Sequence, residues 1–241
     1  MELKNRKNKI DESLSAIFKH NKNNTDQKLN KVLIKIISEV TFEPLERIIP
    51  FFLADYGLKP VFEIGPFDQL NYQLFNMKNS DTAELEFIYI HTSTLKYFIK
   101  ACGTPHTNST KNFDELINQY LESIHSMVKK ASNSVFILNF FELPPYRIRG
   151  SHSTRSGIIK TIHWANSELL SMSDENDNIL IHDISFVSAD CGLENWYDFA
   201  TWAAYKQPFT SLALKRIGAS ISSVLASYLG KAKKILITDF D

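Results

Sequence analysis

Very little in this chain points to export, to a membrane or to a polyanion. It has two cysteines in 241 residues, Cys102 and Cys191, too few for a disulfide framework and without the spacing of a metal site. Free thiols in a reducing cytoplasm are the expected state. No apolar run approaches the roughly 20 residues that cross a bilayer, and the Lys/Asn-rich start lacks the apolar stretch of a secretion signal. A cytoplasmic protein with no membrane segment is therefore expected. Net charge is missing too: 27 Lys+Arg balance 27 Asp+Glu, leaving no field to draw in nucleic acid or a lipid surface. Nothing repeats at a solenoid period, and no pair of histidines is spaced with a carboxylate as metal ligands are. Apolar residues, by contrast, are plentiful. They make up 44% of the chain and include 17 Phe, with 9 Tyr beside them, enough for a substantial aromatic core. The length fits one large α/β domain or two small ones.

Residues 1–31 are polar apart from Ile10, Leu14, Ile17 and Phe18, a short helical stripe that reads equally as a resting helix or an arm. The run 32–37 is almost continuously apolar and β-branched, as a parallel strand buried on both faces must be. Thr41 then suits a helix N-cap with Pro44 in the first turn. Leu45, Ile48, Ile49, Phe52 and Leu53 follow at helical spacing, with Pro50 expected to kink or interrupt the helix. Further strands are expected at 61–64, 85–91, 135–141, 178–184 and 234–238. Helices are expected at 67–75, 113–128, 154–172 and 210–228. Strands alternating with helices predict a parallel, doubly wound sheet. The domain reading is an arm or short helix over 1–31, an α/β domain over 32–200, and a connecting helix leading into the start of a second domain over 201–241.

Chemistry is sought where strands end, since ligands of open α/β sheets bind at the carboxyl edge. Ser38, at the end of the first strand, reads as a turn serine or as a nucleophile still lacking a base and an oxyanion hole. In the loop 139–150, Pro144 and Pro145 stiffen the exit of the fourth strand. Arg147 and Arg149 there offer two guanidinium forks to a carboxylate or phosphate, unless they are simply solvated. His152 lies between Ser151 and Ser153, whose adjacency suits a helix cap better than a catalytic dyad. Trp196, Tyr197, Trp202 and Tyr205 read as a lid or as the seal of a seam between two domains. At the far end, Asp239 and Asp241 are spaced i, i+2, which places both carboxylates on one side of an extended segment. One could attack a phosphoryl group while the other manages protons, with Mg2+ offsetting their charge.

The ordered set of motifs resembles the N-terminal region of FkbH-like proteins over about residues 32–241. These are Ser38 to Leu45, Gly65 to Gln69, Asn139 with Pro144 and Pro145, Trp196 to Asp198, Trp202, Lys206 to Thr210, and Ala232 to Asp241. The resemblance implies a three-layer αβα sheet of the SGNH-hydrolase-like, flavodoxin-like kind, running into the first strand of a HAD-superfamily subfamily IIIC phosphatase domain. It implies a role in moving a phosphoglycerate-derived glyceryl unit onto an acyl carrier protein, for polyketide or surface-polysaccharide biosynthesis. Asp239 matches the HAD nucleophile and Asp241 its acid/base partner, with both near the Mg2+ of a complete domain. The remaining phosphatase motifs are not in the sequence, so no metal is expected for this chain alone. In the SGNH half, Val40 stands where the nucleophilic serine belongs, Ser38 is two positions early, and Asn139 fits the asparagine block. Position 201, three after Asp198, is Thr where His belongs. The expectation is the fold without esterase chemistry, docking an acyl carrier protein or the HAD domain. The alternatives are an esterase or acyltransferase using Ser38, and an interaction module with no small-molecule site.

Overall fold

The structure is a computed structural model and describes residues 9–23, 29–76, 86–102, 109–131, 133–146 and 157–231. Its elements in order are α1 (Leu14–Asn23), β1 (Asn30–Ser38), α2 (Glu43–Leu53), β2 (Leu58–Ile64), α3 (Leu70–Asn76), β3 (Phe87–His91), α4 (Thr94–Cys102) and α5 (Ser109–Lys130). They continue with β4 (Val135–Asn139), α6 (Ile158–Glu175), β5 (Ile179–His182), α7 (Ile184–Cys191), α8 (Phe199–Tyr205) and α9 (Ser211–Tyr228). The five strands form one sheet in the order β2-β1-β3-β4-β5, parallel throughout. Five strands were expected at these places, and each was found within a few residues of its expected bounds. The strand expected at 234–238 lies outside the described residues.

Strand order explains the layers. The step from β1 to β2 runs one way across the sheet and every later step runs the other. Right-handed crossovers therefore put α2 on one face and α3 to α6 on the opposite face. Packing follows that division: α2, α7 and α9 lie together with α1 outside α2, while α5 packs against α3, α4 and α6 on the other side. The flavodoxin-like order has its switch point between β1 and β3, where the direction of winding reverses. Strands β3 and β4 are buried along their whole length, which is why their sequences are apolar without alternation.

Two local expectations are corrected. The helix runs through Pro50 without interruption and tightens into a 3-10 turn at Ala54–Tyr56. Pro50 sits in the last turn and is half-buried; having no N–H, it leaves the Glu46 carbonyl without its helical donor while the helix continues past it. The N-cap of α2 is Phe42 and not Thr41. Thr41 is drawn away by the segment after α8: its hydroxyl donates to the Tyr205 carbonyl, its N–H to Lys206 O, and its carbonyl accepts from Gln207 Nε2. Residues 67–69 precede α3 as a loop, with Asp68 in the left-handed region at φ 54°.

The helix α9, placed beyond the domain boundary at 200 by the sequence reading, packs on α2 and α7 and buries Ile217, Ile221 and Leu225 in the common core. Gly218 makes that approach possible, because a Cβ there would lie 2.6 Å from Ile48 Cγ2. The aromatics of 196–205 divide: Trp196 is fully buried against Phe209 and Tyr197 is buried, whereas Tyr205 is 71% exposed. Both sheet edges are poor templates for another strand. Gly57 O and Gly65 N, flanking β2, bond to β1, so the odd positions of β2 face inward and Pro60 faces out without an N–H to offer. On β5, Asn178 O and His182 O serve β4 while Ile179 O accepts from Ser173, leaving chiefly the Ile181 peptide on the outer side.

Candidate functional site

Four of the five strands hand over to polar residues at or just past the carboxyl end: Ser38-Glu39 at β1, Thr92-Ser93 after β3, Asn139 and Glu142 at and after β4, and His182-Asp183 at β5. Most are buried and bond within the protein, except that His91 Nε2 and His182 Nε2 find no partner among the described residues. They form two sets.

The first set lies at the switch point between β1 and β3. Glu39 follows β1, its side chain 7% exposed, and its carboxylate takes three donors. Thr92 Oγ1 donates at 2.7 Å and Lys96 Nζ at 2.6 Å, and the Tyr97 hydroxyl donates as well. Thr92 leaves β3, and Lys96 and Tyr97 sit one turn into α4. The Lys96 ammonium also pairs with Asp68 on the loop ahead of α3. That loop is fixed by Asp68 N–H donating to Ser38 O at 3.1 Å and by Gly65 N–H donating to Ile36 O at 2.9 Å. Burial, and then the Glu39 charge, pushes the Tyr97 phenol well above its ordinary range, so it remains a donor to the carboxylate.

The second set lies beneath the ends of β3, β4 and β5. The Tyr89 hydroxyl is 3.0 Å from His91 Nδ1 and 3.0 Å from His182 Nδ1. All three side chains are buried. Burial lowers both imidazoles to about 3, against a weak opposing effect of Asn139 on His91, and it raises the Tyr89 phenol. Both rings are therefore neutral at physiological pH. The single Tyr89 proton goes to one Nδ1, and the other ring donates its Nδ1–H to the phenol oxygen. Glu142, fully buried, accepts from Ser93 Oγ at 2.5 Å and from Thr94 N at 3.2 Å, at the start of α4. Desolvation raises its pKa, and those donors oppose the rise.

The residues singled out from sequence fall into this picture unevenly. The Ser38 hydroxyl is buried and donates to Val40 O at 2.5 Å, two residues on, while accepting from Val40 N at 3.3 Å. Val40 itself is fully buried. Asn139 clamps β4 to the end of β3, accepting from Thr92 N at 2.9 Å and donating to Thr92 O at 3.3 Å. Asp198 caps α8, accepting from Thr201 N at 3.0 Å, and Thr201 Oγ1 donates to Asp198 O and Gln207 O. Arg147, Arg149, Asp239 and Asp241 lie outside the described residues, as do Ser151, His152 and Ser153. Among the described residues no group of three or more His, Cys, Asp or Glu is placed to hold a metal ion. No helix of the described residues is long and apolar enough to cross a membrane. Sequence reasoning passed over Lys96, Tyr97, Asp68 and Glu142 as site residues. The available signal was the change from apolar strand to polar turn at the ends of β1, β3, β4 and β5.

The fold and this edge define a three-layer α/β protein of flavodoxin-like strand order, with a charged network at its switch point. Among solved structures, the chain is similar to the N-terminal part of the protein BF1531 from Bacteroides fragilis, which contains a phosphatase domain and was crystallised complexed with Mg. The TM-score is 0.78 and the identity 18%, over 92% of this chain. The chain spans 58% of the length of that structure's chain. It also matches the C-terminal catalytic domain of Streptococcus pneumoniae peptidoglycan O-acetyltransferase A (OatA), at 14% identity and a TM-score of 0.42, over 84% of this chain and 94% of that one. No family model matches the sequence, and no curated protein matches it.

Proposed function

We propose that this chain is a non-hydrolytic SGNH-like module of an FkbH-like protein. In this reading it holds or docks the acyl carrier protein that receives a phosphoglycerate-derived glyceryl unit, beside a HAD phosphatase domain that begins at Asp239 and Asp241. One observation carries the reading. At the carboxyl end of β1, where an esterase of this architecture needs a free nucleophile, Val40 is buried and the Ser38 hydroxyl is engaged within its own turn. A serine must lie within hydrogen-bond reach of a general base to attack an ester. The Ser38 hydroxyl bonds only to backbone atoms of Val40 and His91 among the described residues. The likeness to a phosphatase-containing structure supports the placement beside a HAD domain at the level of the fold.

The test is direct. The purified chain is assayed with p-nitrophenyl acetate, with p-nitrophenyl phosphate in Mg2+, and by calorimetric titration with an acyl carrier protein bearing its phosphopantetheine arm. No turnover of either ester and saturable carrier binding are expected. Acetate release lost in Ser38→Ala would establish an esterase. Mg2+-dependent phosphate release lost in Asp239→Asn would establish a phosphatase in this chain. Failure to bind any carrier protein would remove the docking role.

A further inference from the structure

We infer that Lys96 is an oxyanion seat at the switch point, and that Asp68 occupies it as an internal stand-in for a carboxylate or phosphate group of the ligand. The inference deepens the binding-module reading above and rests on it.

The position comes first. In open α/β sheets the crevice outside the carboxyl ends at the switch point receives the ligand. Here it falls between β1 and β3, where Glu39, Thr92 and Lys96 meet. The two carboxylates on Lys96 are not equivalent. Glu39 is 7% exposed and is held by Thr92 and Tyr97 as well as by the ammonium, so removing it would strand a buried charge. Asp68 is 45% exposed. Its carboxylate has no other hydrogen-bond donor among the described residues, and it sits on a left-handed backbone at φ 54°, which few residues other than glycine adopt. Phe67 beside it is 48% exposed, so the loop that carries Asp68 lies on the surface. Glu39 and Lys96 cancel in charge, leaving Asp68 as the exchangeable anion. An incoming oxyanion replaces one carboxylate oxygen by another at the same ammonium, with no change in the buried pair beneath. An ammonium is a point charge with three donors and accepts either group, so the shared chemistry is the oxyanion.

The substitution that isolates this role is Asp68→Asn. Asn tolerates the left-handed region, keeps the shape and removes the competing charge. Inorganic phosphate and acetate serve as the two probes, followed through the backbone amide resonances of Phe67, Asp68 and Lys96 in the full chain. Asp68→Asn is expected to bind at least one probe about tenfold more tightly than the parent, the scale of one partly exposed charge contact. The gain should vanish in Asp68→Asn with Lys96→Gln. Because Lys96→Gln leaves Glu39 unpaired, the same measurement is repeated with Glu39→Gln added, which restores neutrality. Phosphate binding above acetate points to a phosphoryl ligand, and the reverse order to a carboxylate. Equal affinity of Asp68→Asn and parent for both probes, with the fold intact, would overturn the inference and leave Asp68–Lys96 as a structural pair. Carrier protein bound equally well by parent and by the Lys96→Gln, Glu39→Gln protein would remove the anion seat while leaving the module reading in place.

Discussion

Two polar networks sit a few residues apart at the same edge of the sheet, and they behave oppositely. The one between β1 and β3 is charged, and its outer member, Asp68, faces solvent. The one beneath β3, β4 and β5 is neutral at Tyr89, His91 and His182 and closed to solvent. The difference follows from depth. Where water still reaches, an ion pair can change partners. Where water is excluded, desolvation holds imidazoles and phenol in their neutral forms and each hydrogen bond becomes irreplaceable. The sealed set therefore serves the fold, and the open set is where the proposed oxyanion would be met.

The largest expected effects break the sealed network. Tyr89→Phe removes one hydroxyl that serves two imidazoles, leaving one Nδ1 without its donor and the other without its acceptor. At about 1–3 kcal/mol per buried unsatisfied group, urea unfolding should show a loss of about 2–4 kcal/mol. A loss below 1 kcal/mol would mean that the rings find other partners.

Acid strikes the same network, and summed from pH 7 to 4 its effect is the larger of the two. Both imidazoles have folded pKa values lowered from 6.5 to about 3, so between those limits the unfolded chain binds more protons than the folded one. Their contribution is whole above pH 6.5 and is lost as pH falls toward 3. With up to two protons taken up on unfolding, the slope approaches about 2.7 kcal/mol per pH unit. Urea melts from pH 7 to 4 should show stability falling in this sense, with a shallower slope in His182→Gln. A flat profile across pH 6.5 to 5 would place the histidines in contact with water.

A third effect concerns the packing that carries both networks. Gly218→Ala puts a methyl 2.6 Å from Ile48 Cγ2. Overpacking costs of about 1–3 kcal/mol outweigh the roughly 1 kcal/mol that alanine returns to a helix. A net loss of about 1 kcal/mol in thermal unfolding is expected, and a gain in stability would show that α9 stands further from α2. The smallest effect is at Ser38. Ser38→Ala forfeits the hydroxyl's bonds to Val40 and its long contact to His91 O, so a change within about 1–2 kcal/mol and no change in ester hydrolysis are expected.

Much of the architecture was legible because parallel strands buried on both faces must be apolar without a break, as at 135–139 and 87–91. The long helices were legible through the spacing of residues such as Phe113, Ile117, Tyr120 and Ile124, which are all buried. What could not be read depends on distant segments. Thr41 looked like a helix cap, yet its hydroxyl is taken by a carbonyl 164 residues away. No helix was expected over 94–102, where α4 lies, and Lys96 was not singled out in the sequence. Its partners, Glu39 and Asp68, lie 57 and 28 residues off and meet it only because β1, β3 and the loop before α3 converge at the switch point. Ser38, at the end of its strand, was visible as a candidate, but its hydroxyl's engagement with Val40 depends on the shape of the turn.

The most direct test of the binding edge asks whether any hydroxyl there can act as a nucleophile. The purified chain is incubated with a fluorophosphonate that captures activated serines, and the intact mass and tryptic peptides are then measured. The expected result is an unchanged mass, with the peptide containing Ser38 unmodified. Stoichiometric phosphonylation of Ser38, lost in Ser38→Ala, would contradict the binding-module reading and make this edge an active site.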